Sequence, residues 1–264
     1  MPYTIFSDKH IRFGAQIGVG FIQNQYKKEF VKFLLDSGAL RVGSFRLKSG
    51  RESPYFINTG LFDDGYMITK LGEFYAAAAI DVVGIDFDTV FGPPYKGIPL
   101  AVATSMALAG RRINRGWSSY RKEVKDHGEA TEHERTKSQL QKELIIGHEI
   151  TDGSRVLLVD DVLTTGGTKE EALDILYRVA DNVKVVAGLI AVDRQELDEQ
   201  GKDAVAEFKQ KTGVQFFSIA TTSDILEYLG EFGGVTEEQT TAFRSYIFRW
   251  GTEEARRRLT SQLY

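Results

Sequence analysis

Apolar and polar positions change their period repeatedly along this chain, and each change marks an element. Residues 27–35 carry apolar side chains at helical spacing and stop at Ser37-Gly38, which predicts an amphipathic helix closed by glycine. Residues 43–58 alternate around Ser49-Gly50, the pattern of a hairpin. Residues 68–82 return to a helical period, with alanines at 76–79 suited to close packing. Short apolar runs at 89–91, 156–159, 184–192 and 214–220 read as strands. Helical segments at 98–108, 168–179 and 195–211 lie between or beside them, and three more follow at 223–229, 236–250 and 253–259. Such alternation predicts an α/β fold, a central parallel sheet flanked by helices. Residues 129–143 break the rhythm: charged, polar and almost without an apolar face, they predict a mobile excursion.

Composition narrows the class without naming a reaction. The chain has 264 residues, 42% of them hydrophobic, enough for one large core or a core plus a small lobe. Formal net charge is −4, so nothing global attracts nucleic acid or an anionic membrane. Cysteine is absent, which removes disulfides, thiolate catalysis and cysteine-based metal sites together. No run approaches the ~18–20 apolar residues of a membrane span, and the first ten residues hold no signal-peptide core. The expectation is a soluble, cytoplasmic protein with no membrane or nucleic-acid partner.

Candidate chemistry concentrates at residues 155–168, RVLLVDDVLTTGGT. A continuously apolar strand ends in Asp160 and Asp161, at the carboxyl edge where open α/β sheets bind ligands. Val162 and Leu163 lead into Thr164, Thr165, Gly166, Gly167 and Thr168, whose backbone N–H groups and hydroxyls precede a helix. That is a phosphate cradle. Acids beside such a cradle suit a ligand carrying both a phosphate and a diol. A Walker A loop would need lysine where Thr168 stands, and Gly18-Val19-Gly20 lacks the third glycine of a dinucleotide fingerprint.

Four other segments carry chemistry. Residues 45–58 place Lys48 beside the hairpin turn and Tyr55, Phe56 and Ile57 on the return strand, a cation and flat apolar groups able to serve an anionic, planar ligand. Residues 91–97, FGPPYKG, form a stiff loop that points Lys96 over the sheet edge, with Tyr95 beside it. Residues 120–128 gather Arg121, Lys122, Lys125 and His127 in a chain of negative net charge. Arg194 follows a strand directly, and arginine grips a planar carboxylate through two parallel hydrogen bonds. His133 and Glu134 resemble a zinc helix only superficially, because Lys137 stands where the second histidine belongs. Trp117 and Trp250 read as packing residues.

The acidic pair with its Thr/Gly loop resembles the phosphoribosyl pyrophosphate (PRPP) motif of the type I phosphoribosyltransferases. The five segments together resemble orotate phosphoribosyltransferase over roughly residues 27–229. That resemblance implies the type I phosphoribosyltransferase fold, with a hood or base-binding lobe in residues 1–84 and a PRPP-binding core in 85–264 that includes a mobile loop at about 118–148. It assigns Lys48, Tyr95, Lys96, Arg121, Lys122, Lys125, His127 and residues 160–168 to PRPP. Lys48, Phe56, Ile57, Thr164 and Arg194 go to orotate, and Lys125, Asp160 and Asp161 to catalysis. A non-proline cis peptide in the 91–97 loop, a homodimer sharing its mobile loop, and Mg²⁺ held mainly by PRPP and water are implied too. A different base, or a regulator that keeps the fold and binds nucleic acid, are the alternatives. Lys48 and Arg194 speak against a purine, and the acidic balance speaks against the regulator.

Overall fold

The computed structural model describes residues 25–47, 49–122, 136–163 and 166–261. Helix α1 (Gln25–Asp36) leads into an antiparallel hairpin, β1 (Leu40–Arg46) and β2 (Glu52–Ile57). Next come α2 (Gly65–Val82), β3 (Thr89–Phe91), α3 (Gly97–Gly110) and β4 (Gly116–Tyr120). The chain continues through α4 (Lys137–Leu144), β5 (Ile145–Gly147), β6 (Arg155–Asp160), α5 (Gly167–Val179) and β7 (Lys184–Asp193). It ends with α6 (Ala204–Thr212), β8 (Phe216–Thr221), α7 (Thr222–Phe232), α8 (Glu237–Trp250) and α9 (Glu253–Ser261).

The main sheet has the order β5-β4-β3-β6-β7-β8. Every pair in it is parallel except β4 with β5. The order reverses between β3 and β6, so loops leaving their carboxyl ends diverge and open a crevice there. One apolar cluster joins Tyr55 and Phe30 of the hairpin side to Leu157 and Val159 of β6 and to Phe243 and Ile247 of α8. A second cluster on the other face packs Leu158 and Phe91 against Leu173 and Leu176 of α5. The hairpin and the main sheet therefore share packing: α8 seats Phe243 flat on Tyr55, ring centroids 4.8 Å apart.

The structure corrects the sequence reading at three places. Strand β4 was not predicted because Ser118 and Ser119 interrupt its apolar pattern, yet both are fully buried. Ser118 donates to the His148 carbonyl (2.7 Å) and meets Thr89 Oγ1 (3.2 Å), so the hydroxyl is satisfied inside the sheet. Within the loop expected at 118–148, residues 137–147 form α4 and β5, with Thr136 and Gln139 building a capping box at the head of α4. The helix expected at 195–211 begins only at Ala204, where Asp203 caps it through Val205 N (2.9 Å). Residues 195–203 are spent otherwise: Gln195 adopts φ 51°, and Glu196 bridges to Gly251.

Candidate active site

The carboxyl ends of β3, β4, β6 and β7 lie along one edge of the sheet, and four of the predicted segments leave from them. After β6, Asp160 and Asp161 are both buried, at 5% and 8% exposure, and each faces a lysine. Asp160 forms an ion pair with Lys169, one turn into α5, whose own exposure is only 7%. Its other oxygen accepts from Asp161 N (2.9 Å), and Tyr75 of α2 donates to its carbonyl (2.7 Å). Burial pushes the Asp160 carboxyl above the usual carboxylate range, and the Lys169 charge opposes that rise. Asp161 instead meets Lys96 (2.7 Å), with Thr59 Oγ1 donating to the same oxygen (3.0 Å). Lys96 also reaches Thr59 Oγ1 (3.2 Å), so the cation of the 91–97 loop sits over the acidic pair.

That loop is built by close approach. A Cβ on Gly92 would lie 1.9 Å from the Gly97 carbonyl oxygen, and the Gly97 N–H donates back to Pro93 (3.0 Å). The Pro94–Tyr95 peptide is cis, as the resemblance implied. Tyr95 is 71% exposed, with Lys122 Nζ 5.4 Å from the ring centroid. Tyr95, Lys96 and Lys122 thus gather beside Asp161.

The helix behind the cradle starts at Gly166, which caps α5 at φ 79°. No side chain fits there, since a Cβ would stand 2.8 Å from Phe208. Three features then converge, namely the N-terminus of α5, the acids at the β6 end and a lysine above them. They can bind phosphate and hydroxyl groups of one ligand. Val162 and Leu163 are half-buried, and Leu163 packs beneath the loop against the second cluster.

Other predicted residues already have partners within the chain. The Arg121 guanidinium donates to the carbonyls of Glu143 (3.2 Å) and Ile145 (2.9 Å), finishing the C-terminal end of α4. Strand alternation puts Phe56 and Ile57 on opposite sides of β2: Phe56 is exposed and leans on Phe45, while Ile57 packs on the core. Arg194 follows β7 as expected, but its guanidinium already holds Glu196 (2.7 and 2.9 Å) and lies 4.2 Å from the Tyr55 ring centroid. Tyr55 donates to the same glutamate oxygen (3.0 Å). Lys48, Lys125, His127, Thr164 and Thr165 lie outside the described residues. Sequence reasoning missed Thr59, Tyr75, Lys169 and Glu196. Lys169 alone left a signal, a lysine on the face of α5 that otherwise carries Ala172, Leu173 and Leu176.

A mostly parallel sheet with two acids at a strand end and a glycine-capped helix behind them defines a phosphoribosyl transferase domain, and the sequence model of that family matches residues 63–222. The similarity extends further. An orotate phosphoribosyltransferase of Lachnoclostridium phytofermentans is 38% identical over 237 residues, spanning 87% of this chain and 99% of that one. One from Clostridium acetobutylicum is 43% identical over 206 residues, 78% and 86% of the two chains. The crystal structure of the Francisella tularensis orotate phosphoribosyltransferase superposes with a TM-score of 0.71 at 30% identity, covering 85% of this chain and all of that one. The chain belongs to the orotate phosphoribosyltransferase family.

Proposed function

We infer that this chain transfers the 5-phosphoribosyl group of PRPP to N1 of orotate, giving orotidine 5′-monophosphate and pyrophosphate in pyrimidine biosynthesis. The observation that carries the reading is the Asp160–Asp161 pair at the end of β6, set before the N-terminus of α5 and under Lys96. Its family membership supplies the base.

Asp160 and Asp161 accept from the two ribose hydroxyls, and residues 164–168 with the α5 N-terminus donate to the 5′-phosphate. The sugar is then fixed at both ends, which orients C1 toward the incoming N1. As the C1–O bond to pyrophosphate breaks, positive charge grows on the ribose and negative charge on the leaving oxygens. Lys96 and Lys122 face the latter, joined by Lys125 and His127, and such prearranged charge is commonly the largest catalytic contribution. Arg121 serves the same loop by holding its return helix in place. Lys48 and the exposed Phe56 bound the base pocket from the hairpin and Thr164 from the phosphate loop. The orotate carboxylate is the chemical equal of Glu196, the group Arg194 now holds. That is a specificity no purine base can exploit.

Phosphoribosyltransferases generally use Mg²⁺ with PRPP. Among the described residues no group of three or more potential ligands forms a metal cage. Both site acids already face lysines, a donor set that fits a hard cation held by diphosphate and water oxygens. When bound, Mg²⁺ supplies charge neutralisation to the departing pyrophosphate. A homodimer sharing the 118–148 segment, and a cytoplasmic location, belong to the same reading. No helix among the described residues is long and apolar enough to cross a membrane.

The test is direct. Purified protein mixed with Mg²⁺, PRPP and orotate should consume orotate absorbance and release orotidine monophosphate and pyrophosphate in equal amounts. Turnover with adenine, guanine or hypoxanthine but not orotate would replace the base assignment.

A further inference from the structure

Asp160 is treated by this fold unlike any other carboxylate of the site, and the residue responsible is Lys169. We propose that Lys169 is a positioning residue for PRPP: from beneath the phosphate loop it holds the Asp160 carboxylate charged and oriented toward the ribose. The inference rests on the assignment of Asp160 to the sugar hydroxyls.

The geometry leaves Lys169 little else to do. Its side chain projects from the first turn of α5 into the sheet edge, where it and Asp160 are 8% and 7% exposed. A lysine ammonium is rarely so buried unless paired, and Asp160 is the partner it has. Because Lys169 is the second residue after Gly167, the helix that begins the phosphate cradle also carries the cation. Phosphate site and hydroxyl site are thereby tied through one rigid element. One Asp160 oxygen belongs to Lys169, and the other accepts the Asp161 N–H. A carboxylate clamped at both oxygens has one orientation to offer, and each oxygen keeps a lone pair for a hydroxyl.

The neighbouring acid works against the Asp160 charge. Asp161 is adjacent and raises its pKa, and burial raises it more. Tyr75 from α2 touches only the carbonyl, and Tyr120 from β4, itself beside Glu171 of α5, lies within electrostatic reach. Lys96 is committed to Asp161. Lys169 is the cation that offsets these influences. Without it only the Asp161 N–H would oppose the upward push of burial on the acid, and its oxygens would be freer to turn.

The experiment is PRPP binding by calorimetry, with Mg²⁺, across pH 6.5 to 9, for wild type and Lys169→Met. Comparing the two at each pH cancels the titration of PRPP itself. The wild-type to variant affinity ratio should be smallest at the alkaline end and should grow as pH falls, because Asp160 without its cation takes up a proton before the paired one does. A variant that binds like wild type at every pH, or is weakened by the same factor at every pH, overturns the proposal. If Lys169→Met does not fold, the double variant Lys169→Met with Asp160→Asn decides: recovery of a cooperative unfolding transition supports the pairing, and failure to recover it overturns it. A wild type that binds no PRPP sinks the functional assignment along with this inference. A wild type that binds while the variant keeps its pH profile sinks this inference alone.

Discussion

Two adjacent aspartates at the end of one strand meet two lysines, and the resulting pairs are physically different. Asp160 with Lys169 lies in the floor of the site, both side chains less than a tenth exposed. Asp161 with Lys96 forms the rim, and the Lys96 side chain is 64% exposed. Desolvation makes the floor pair costly to open, because either charge left alone would sit unpaired in a poor solvent. The rim pair costs little to open, since water replaces the partner. A ligand can therefore take Lys96 from Asp161 when it arrives, while the floor keeps its shape. One region is built to be exchanged and the other to stay.

The contrast breaks if removing Lys169 is cheap. Lys169→Met should destabilise the fold by about 3–5 kcal/mol in denaturant titrations, the usual cost of stranding a buried charge. A loss below about 1 kcal/mol would place both pairs in the same class.

Lys96→Ala should show the reverse pattern. Stability should change by less than about 1 kcal/mol, because the pair it breaks is exposed on one side. Turnover should fall by about 100-fold if the lysine faces charge that grows on the leaving pyrophosphate. A rise in the PRPP KM with kcat intact would instead make Lys96 a uniform binder.

Arg194 sharpens the comparison from the third side of the site, since its pair with Glu196 is intermediate, 25% and 15% exposed. Arg194→Lys keeps the charge but loses the planar fork, so the orotate KM should rise about 10- to 30-fold with little change in the KM for PRPP. Equal changes in both constants would remove Arg194 from base recognition.

Asp193, at the end of the neighbouring strand, is the control acid. Burial pushes its carboxyl up to about 6, opposed by the Gln195 N–H and assisted by Asp203, Glu254 and Glu196. Its folded pKa is above the ordinary value, so the native state binds the extra proton. Stability from this group is present at acid pH and lost as pH rises through roughly 4 to 6. Asp193→Asn should flatten that slope and raise stability at pH 7 by about 1 kcal/mol, read from unfolding curves at pH 4.5 and 7. An unchanged slope would mean that Asp193 carries none of this pH dependence.

Much of the molecule is legible in the chain because local rules settle it. The apolar run of β6 ending in Asp160 and Asp161, the Gly166 cap that only glycine can occupy, and the closed 92–97 loop each follow from adjacent residues. The parallel sheet follows from alternating periods, and that alternation placed the acids at the correct edge. Partnerships across the sheet could not be read this way. Ser118 and Ser119 look like surface residues until neighbouring strands cover both and satisfy the Ser118 hydroxyl. The contact of Arg121 with the end of α4 could not be read from the chain, since the Glu143 carbonyl lies 22 residues later.

What the sequence determined alone is therefore the make-up of the candidate site: acids, Thr/Gly loop and lysine loop, each specified by adjacent residues. Tertiary structure decided how those charges are shared. Lys169 became the buried partner of Asp160, Lys96 the exposed partner of Asp161, and Glu196 with Tyr55 the present holder of Arg194. The reason is solvent. A charge in a sequence has no fixed worth until packing sets how much water remains around it, and only the folded chain sets that.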